Sequence, residues 1–166
     1  MTKDIKLSKV LFIIYMLILC WIILFKFKFS LENIGQMRNI NLVPFGESMI
    51  VNGKVSVDEI INNVIVFIPV GVYLSMINNE WGFKQKTIFI FLISLSFEVL
   101  QYIIGIGASD ITDLITNTTG GAVGIIGFSI VNKIMKEKTL TLLNRVALMC
   151  TGMIVIFIGL LIGVNI

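Results

Sequence analysis

The sequence predicts an all-α polytopic membrane protein with five transmembrane helices, and three observations predict it. Of 166 residues, 57% are hydrophobic and 14% charged, against about 25% charged in soluble domains. Apolar runs of the roughly 20 residues that cross a bilayer recur along the whole chain. The connectors between them differ in lysine and arginine content, as the positive-inside bias of membrane proteins predicts. One domain over residues 1–166 takes in all five runs.

Span one covers about 10–29, behind a basic head with Lys3, Lys6 and Lys9. It carries no charge before Lys26, and Lys26 and Lys28 can snorkel to the interface. It is too long for a signal peptide, and no small-residue cleavage site follows it. A long polar loop, 30–57, comes next and contains Arg38, Asn39, Asn41, Pro44 and Glu47. Loops of this length are usually functional or disordered. Its NINLVPF run, Asn39 to Phe45, mixes amides with apolar residues and suits a segment that dips onto the membrane surface.

Span two covers about 58–77. Asp58 and Glu59 in its first turn complement the helix dipole, while Asn62 and Asn63 lie deeper. Pro69 removes a backbone donor, so a kink is expected near Ile65 with a carbonyl free to face a pocket. Span three covers about 87–104 and span four about 110–131. A tight turn, GIGAS at 105–109, joins them, and Ser109 or Asp110 can cap span four. Gly120 and Gly124 have the spacing that lets helices approach closely. A basic connector at 132–145 leads to span five, about 146–164, where Gly152, Gly159 and Gly163 form a packing stripe. Cys20 and Cys150 fall in spans and read as small buried hydrophobes.

Nine cations, Lys3, Lys6, Lys9, Lys84, Lys86, Lys133, Lys136, Lys138 and Arg145, fall on one side of this arrangement. Four, Lys26, Lys28, Arg38 and Lys54, fall on the other. The first side is therefore expected to be cytoplasmic, with the N-terminus in, the C-terminus out and the 30–57 loop outside.

Acids inside spans mark functional candidates, since each costs about 2.5–3.5 kcal/mol at the bilayer centre on insertion scales. On a helix, Asp110, Asp113, Asn117, Gly121 and Gly124 fall within an arc of about 80°. Ser94, Glu98, Gln101 and Gly105 fall within about 60° on the preceding span. Facing each other across a short turn, these stripes form a polar centre in the outer leaflet, with Asn62 and Asn63 beside it and Arg38 and Asn41 above. The chain has no histidine and two distant cysteines, which excludes Ser-His-Asp triads and zinc sites. It has no Gly-rich phosphate loop, and its net charge of +3 gives no reason to expect nucleic acid. An oxygen-rich acidic pocket remains. It could hold Mg²⁺ or Ca²⁺, relay protons or cations, or take the polar part of a lipid-linked molecule.

The segments NLVPF (Asn41–Phe45), NNVIVFIPVG (Asn62–Gly71), FEVLQ (Phe97–Gln101) and SDITDLITNTTGGAVG (Ser109–Gly124) resemble the VanZ-like membrane protein family. The resemblance runs from about 41 to 131. It implies a small multi-span protein of the bacterial cytoplasmic membrane, related to an accessory teicoplanin-resistance protein. The family pattern carries over to Asn41, Pro44, Asn62, Asn63, Pro69, Gly71, Glu98, Gln101, Asp110, Asp113, Asn117, Gly120 and Gly124. Three function classes follow. The first binds a lipid-linked cell-wall precursor or lipoglycopeptide in the outer-leaflet pocket. The second is an intramembrane enzyme acting on an envelope lipid, with Glu98, Asp110 and Asp113 as acid/base groups or metal ligands. The third is a cation-coupled transporter, which the lack of an internal repeat disfavours.

Overall fold

A computed structural model describes residues 3–25, 37–45, 50–51, 54–55 and 57–164. In chain order it contains α1 (Lys3–Phe25), β1 (Met37–Asn41), β2 (Ile50–Val51), β3 (Lys54–Val55), α2 (Val57–Ile77), α3 (Phe83–Ile104), β4 (Ile106–Asp110), α4 (Ile111–Met135) and α5 (Thr139–Val164). One 3₁₀ turn, Lys136–Lys138, separates the last two helices. Among the described residues, four helical stretches are long and apolar enough to cross a membrane: Lys3–Leu24, Val57–Ile77, Phe83–Ile104 and Ile111–Ile156. The last, of 46 residues, runs through α4 into α5. The chain is thus a multi-pass helical membrane protein.

Side-chain burial follows the same logic. On α3, Ile88, Leu92, Leu95, Val99, Tyr102 and Ile103 are exposed, while Ser94, Glu98 and Gln101 are buried. That inside-out pattern suits lipid, where an apolar outer face costs nothing and a polar one is expensive. One apolar cluster joins α1 (Leu19, Leu24), α2 (Phe67, Val70, Leu74), α3 (Ile90, Phe97) and α4 (Ile125). Phe67 and Phe97 meet edge to face, with centroids 6.4 Å apart, a geometry that adds roughly 0.5–1.5 kcal/mol to area burial. A second cluster, Leu11, Tyr73, Met76 and Phe128, is flanked by Leu7, Leu140 and Leu143. It brings the start of α1, the end of α2 and the α4–α5 joint to one end of the bundle. A polar clamp holds that end. Ser8 Oγ donates to Asn144 Oδ1 at 2.9 Å, Asn144 Nδ2 to the Asp4 carbonyl at 2.9 Å, and Thr141 Oγ1 to Asp4 Oδ2 at 2.9 Å.

Helices α2 and α4 cross with their backbones nearly touching. A Cβ added to Gly71 would sit 1.9 Å from the Gly121 carbonyl oxygen. One added to Gly120 would sit 2.1 Å from the Val64 oxygen, and one on Gly124 2.0 Å from that of Ile68. Only glycine fits this crossing. The expected close-packing role of Gly120 and Gly124 is met, and the partner is α2.

Several sequence expectations change. The fold is not purely helical: GIGAS is no simple turn, because residues 106–110 form β4, which pairs in parallel with β1 of the long loop. The register runs from Met37 opposite Ile106 to Asn41 opposite Asp110. Within the loop, β2 and β3 form a short antiparallel pair. The turn itself is Gly105, in the left-handed conformation at φ 70°, whose N–H closes α3 on the Gln101 carbonyl at 2.9 Å. The helices also outrun the expected spans. α1 begins at Lys3 and not at residue 10, and α3 begins at Phe83. The 132–145 connector shrinks to the single 3₁₀ turn, because α4 continues to Met135 and α5 starts at Thr139. Lys133 lies in the last turn of α4 and Arg145 in the second turn of α5; a charged side chain does not interrupt a helix, whose bonds are made by its backbone. A Cβ on Gly152 or Gly159 would meet nothing within 4 Å, so these two glycines pack against no element described. Cys150 is exposed and Cys20 half-buried. Lys26, Lys28 and Glu47 lie outside the described residues.

Candidate functional site

The site is assembled at the opposite end of the bundle, where α3 stops and α4 begins. Asp110 is the N-cap of α4, and its Oδ1 accepts the Thr112 N–H at 2.8 Å. That fills one of the orphan donors of a helix start, as its position after the turn predicts. Its Oδ2 accepts Asn41 Nδ2 at 3.1 Å. Asn41 Oδ1 in turn accepts the Val43 N–H at 3.1 Å, and Thr112 Oγ1 accepts the Phe45 N–H at 2.9 Å. Phe45 is held at a left-handed φ of 56°. The NINLVPF run is therefore latched onto the start of α4 by side chains and by the β1–β4 pairing.

Glu98, 6% exposed, closes the same corner from α3. Its Oε2 accepts the Asp110 N–H at 2.9 Å, and its carbonyl accepts Ser109 Oγ at 2.7 Å. One helical turn back along α3 and two turns along α4, Asn117 Nδ2 donates to Ser94 Oγ at 3.0 Å. The two polar stripes do face each other. From α2, Asn63 Nδ2 donates to Asp113 Oδ1 at 2.7 Å. Gln101 Nε2 reaches α1, donating to the Ile23 carbonyl at 3.2 Å.

These side chains border two cavities, and Glu98 lines both. The polar one, about 470 Å³, is lined by Asp58, Glu59, Asn62, Asn63, Glu98, Gln101, Asp113 and Asn117, with Ile22, Ile23 and Val66. The other, about 270 Å³, has apolar walls from Ile40, Leu42, Leu95, Val99, Tyr102, Ile111 and Leu114, with Asn41, Glu98, Ser109 and Asp110 at its edge. Six expected residues thus share one cavity. Asp110 and Asn41 border the neighbouring one and serve the loop latch. The backbone of Arg38 pairs with Gly107, and its side chain lies outside the described part.

Sequence reasoning missed Asp58 and Glu59 as lining residues. Their place in the first turn of α2 reads as dipole compensation, and only the cavity shows the wider use. Pro69 has no N–H for the Ile65 carbonyl, where the sequence predicts a kink. α2 runs continuously through Pro69, and the neighbouring Val66 carbonyl accepts the hydroxyl of Tyr15 from α1.

The helices and this buried corner define a multi-pass membrane protein with a carboxylate-and-amide centre between its spans. The chain belongs to the VanZ/LLP1 family, whose model matches residues 12–132. It is 38% identical over 157 residues to Protein VanZ of Enterococcus faecium, covering 93% of this chain and 87% of that protein. No solved structure matches the chain. The resemblance expected from the four sequence segments is established by these matches.

Proposed function

We propose that this is a cell-envelope protein of the bacterial cytoplasmic membrane that binds a lipid-linked cell-wall precursor or a lipoglycopeptide, and so contributes to teicoplanin-type resistance. In this reading the chain crosses the membrane five times, with α4 and α5 as separate spans. The end bearing Lys3, Lys6, Lys9, Lys84, Lys133 and Arg145 is cytoplasmic, and the polar cavity opens in the outer leaflet. The ligand's polar group enters the cavity while its apolar part stays in lipid.

The observation that carries this reading is the convergence of Asn62, Asn63, Glu98, Gln101, Asp113 and Asn117 on one cavity of about 470 Å³. Packing alone does not call for it. A polar residue in a span is expensive, and six from three helices around a space large enough for a ligand group exceed what helix association needs. The kinship with Protein VanZ supports the envelope setting.

The test is a susceptibility assay. A susceptible host expressing the chain should tolerate more teicoplanin than the empty-vector strain. Glu98→Gln and Asp113→Asn keep shape and accepting oxygens but remove ionisation. Both should reach the membrane at normal levels and lose at least half of that protection. Full protection by both variants would overturn the reading.

A further inference from the structure

The apolar cavity of about 270 Å³ is walled on one side by a face already turned to lipid. Leu95, Val99 and Tyr102 form its α3 wall, and all three belong to the exposed apolar face of that helix. Leu95 and Tyr102 lie about 10 Å apart along the axis, so the cavity runs along α3 and not across it. With 22 residues, α3 is long enough to cross a hydrocarbon core of about 30 Å. Tyr102, in its last turn, therefore stands at the level where aromatic residues meet the headgroups, and Leu95 lies among the acyl chains.

The loop segment 40–45 borders the same cavity through Ile40 and Leu42. Its apolar side chains face outward: Ile40 is 52% exposed, Leu42 72%, Val43 63% and Phe45 49%. No charge stands between Arg38 and Glu47. A contiguous apolar patch of this kind marks an interaction surface. The backbone is fitted for a place short of water. The N–H groups of Ile40, Val43 and Phe45 donate to Asn39 Oδ1, Asn41 Oδ1 and Thr112 Oγ1, and Pro44 has none to satisfy. An open strand edge is not tolerated in the hydrocarbon core, so the place of this segment is the boundary between headgroups and acyl chains.

These relations select the occupant. At the polar edge of the cavity, Ser109 Oγ, Glu98 Oε2 and both Asp110 oxygens are engaged within the protein. Space with walls this apolar does not hold water, and left empty it forfeits dispersion contacts along its lining. A specific protein partner buries roughly 800 Å² per side, far more than the walls of so small a cavity present. Acyl chains already cover the rest of the exposed α3 face, and the cavity continues that surface inward, along the direction in which such chains run.

We infer that this cavity binds one acyl chain of a bilayer phospholipid, lodged along α3, while Ile40, Leu42, Val43 and Phe45 sit in the boundary layer of the same leaflet. The inference goes beyond the function proposed above and does not depend on what the polar cavity takes.

The test uses the full chain in phosphatidylcholine nanodiscs containing a phosphatidylcholine with a diazirine midway along one acyl chain. After irradiation, adducts are mapped by mass spectrometry of peptides. Ile111 and Leu114, half-buried cavity residues, should be labelled at least as strongly as Ile130 and Ile134 on the exposed face of the same helix. Leu114→Trp fills the cavity and should cut labelling of Ile111 at least fivefold while leaving Ile130 unchanged. If that variant does not fold, Val99→Trp, at a half-exposed wall position, replaces it. Val43→Trp in a chain with Trp21 and Trp81 changed to Phe should be quenched by acyl-brominated lipid more than by aqueous iodide. Labelling that follows exposure alone, labelling of Ile111 that survives the filling variant, or quenching by iodide without quenching by brominated lipid would overturn the assignment. Loss of the Ile111 adduct on adding equimolar teicoplanin would give the cavity to the antibiotic and overturn it as well.

Discussion

The carboxylate Oε2 of Glu98 accepts the backbone N–H of Asp110 at 2.9 Å, across 12 positions of chain. The bond ties the end of α3 to the start of α4 through a side chain that also lines both cavities. One residue thus has a structural task and a place at the site, and its substitutions should separate the two.

Glu98→Gln retains an oxygen for the Asp110 N–H, so its thermal unfolding in detergent should match the parent within a few degrees. Glu98→Leu strands a buried donor, which costs about 1–3 kcal/mol, and should also loosen the β1–β4 pairing. Faster proteolysis within 37–45 in Glu98→Leu than in Glu98→Gln is the expected readout. Identical behaviour of the two variants would show that the bond does not hold the corner.

The glycines divide into two groups with opposite expectations. Gly120→Ala and Gly124→Ala place a methyl about 2 Å from the backbone of α2, which no side-chain rearrangement relieves. Overpacking costs roughly 1–3 kcal/mol even where neighbours are mobile, so these variants should unfold at lower temperature or fail to accumulate. Gly152→Ala and Gly159→Ala meet nothing within 4 Å and should be neutral or slightly stabilising, since alanine favours the helix by up to about 1 kcal/mol. Loss of stability in the second group would point to a partner on α5.

Asn144 joins α5 to the head of α1. It accepts from Ser8 and donates to the Asp4 carbonyl, and it is 2% exposed. Asn144→Leu should destabilise the protein by about 1–3 kcal/mol, because Ser8 keeps its buried hydroxyl with one fewer partner. The double variant Ser8→Ala/Asn144→Leu should recover part of that loss, and unfolding temperatures of the single and double variants measure it.

Orientation is open to labelling. With Cys20 and Cys150 replaced, a cysteine at Asn52 should react with an impermeant thiol reagent in intact cells and one at Asn79 should not. The reverse pattern would turn the protein over and move the polar cavity to the cytoplasmic leaflet.

The sequence by itself determined the helical membrane class, the family and most of the residues that meet at the polar cavity. The reason is energetic: lipid penalises a polar side chain so strongly that Asn63, Glu98, Gln101, Asp113 and Asn117 turn inward, and helical periodicity then shows which of them share a face; Asn62 borders the same cavity but stays exposed. Asp110 was legible as a cap from its position after a turn. Three things only the tertiary structure decided. Gly120 and Gly124 of α4 grip α2 while Gly121 faces Ile90 of α3, since a stripe of small residues states that something approaches without saying which helix. GIGAS becomes a strand because its partner, β1, lies about 70 residues earlier, and no local preference of Ile106 to Asp110 encodes that pairing. The expected single pocket becomes two, with Asp110 on one, Asp113 on the other and Glu98, bonded to the Asp110 backbone, lining both. Periodicity fixes the direction of a side chain around its helix axis; what it bonds to depends on where a second segment arrives.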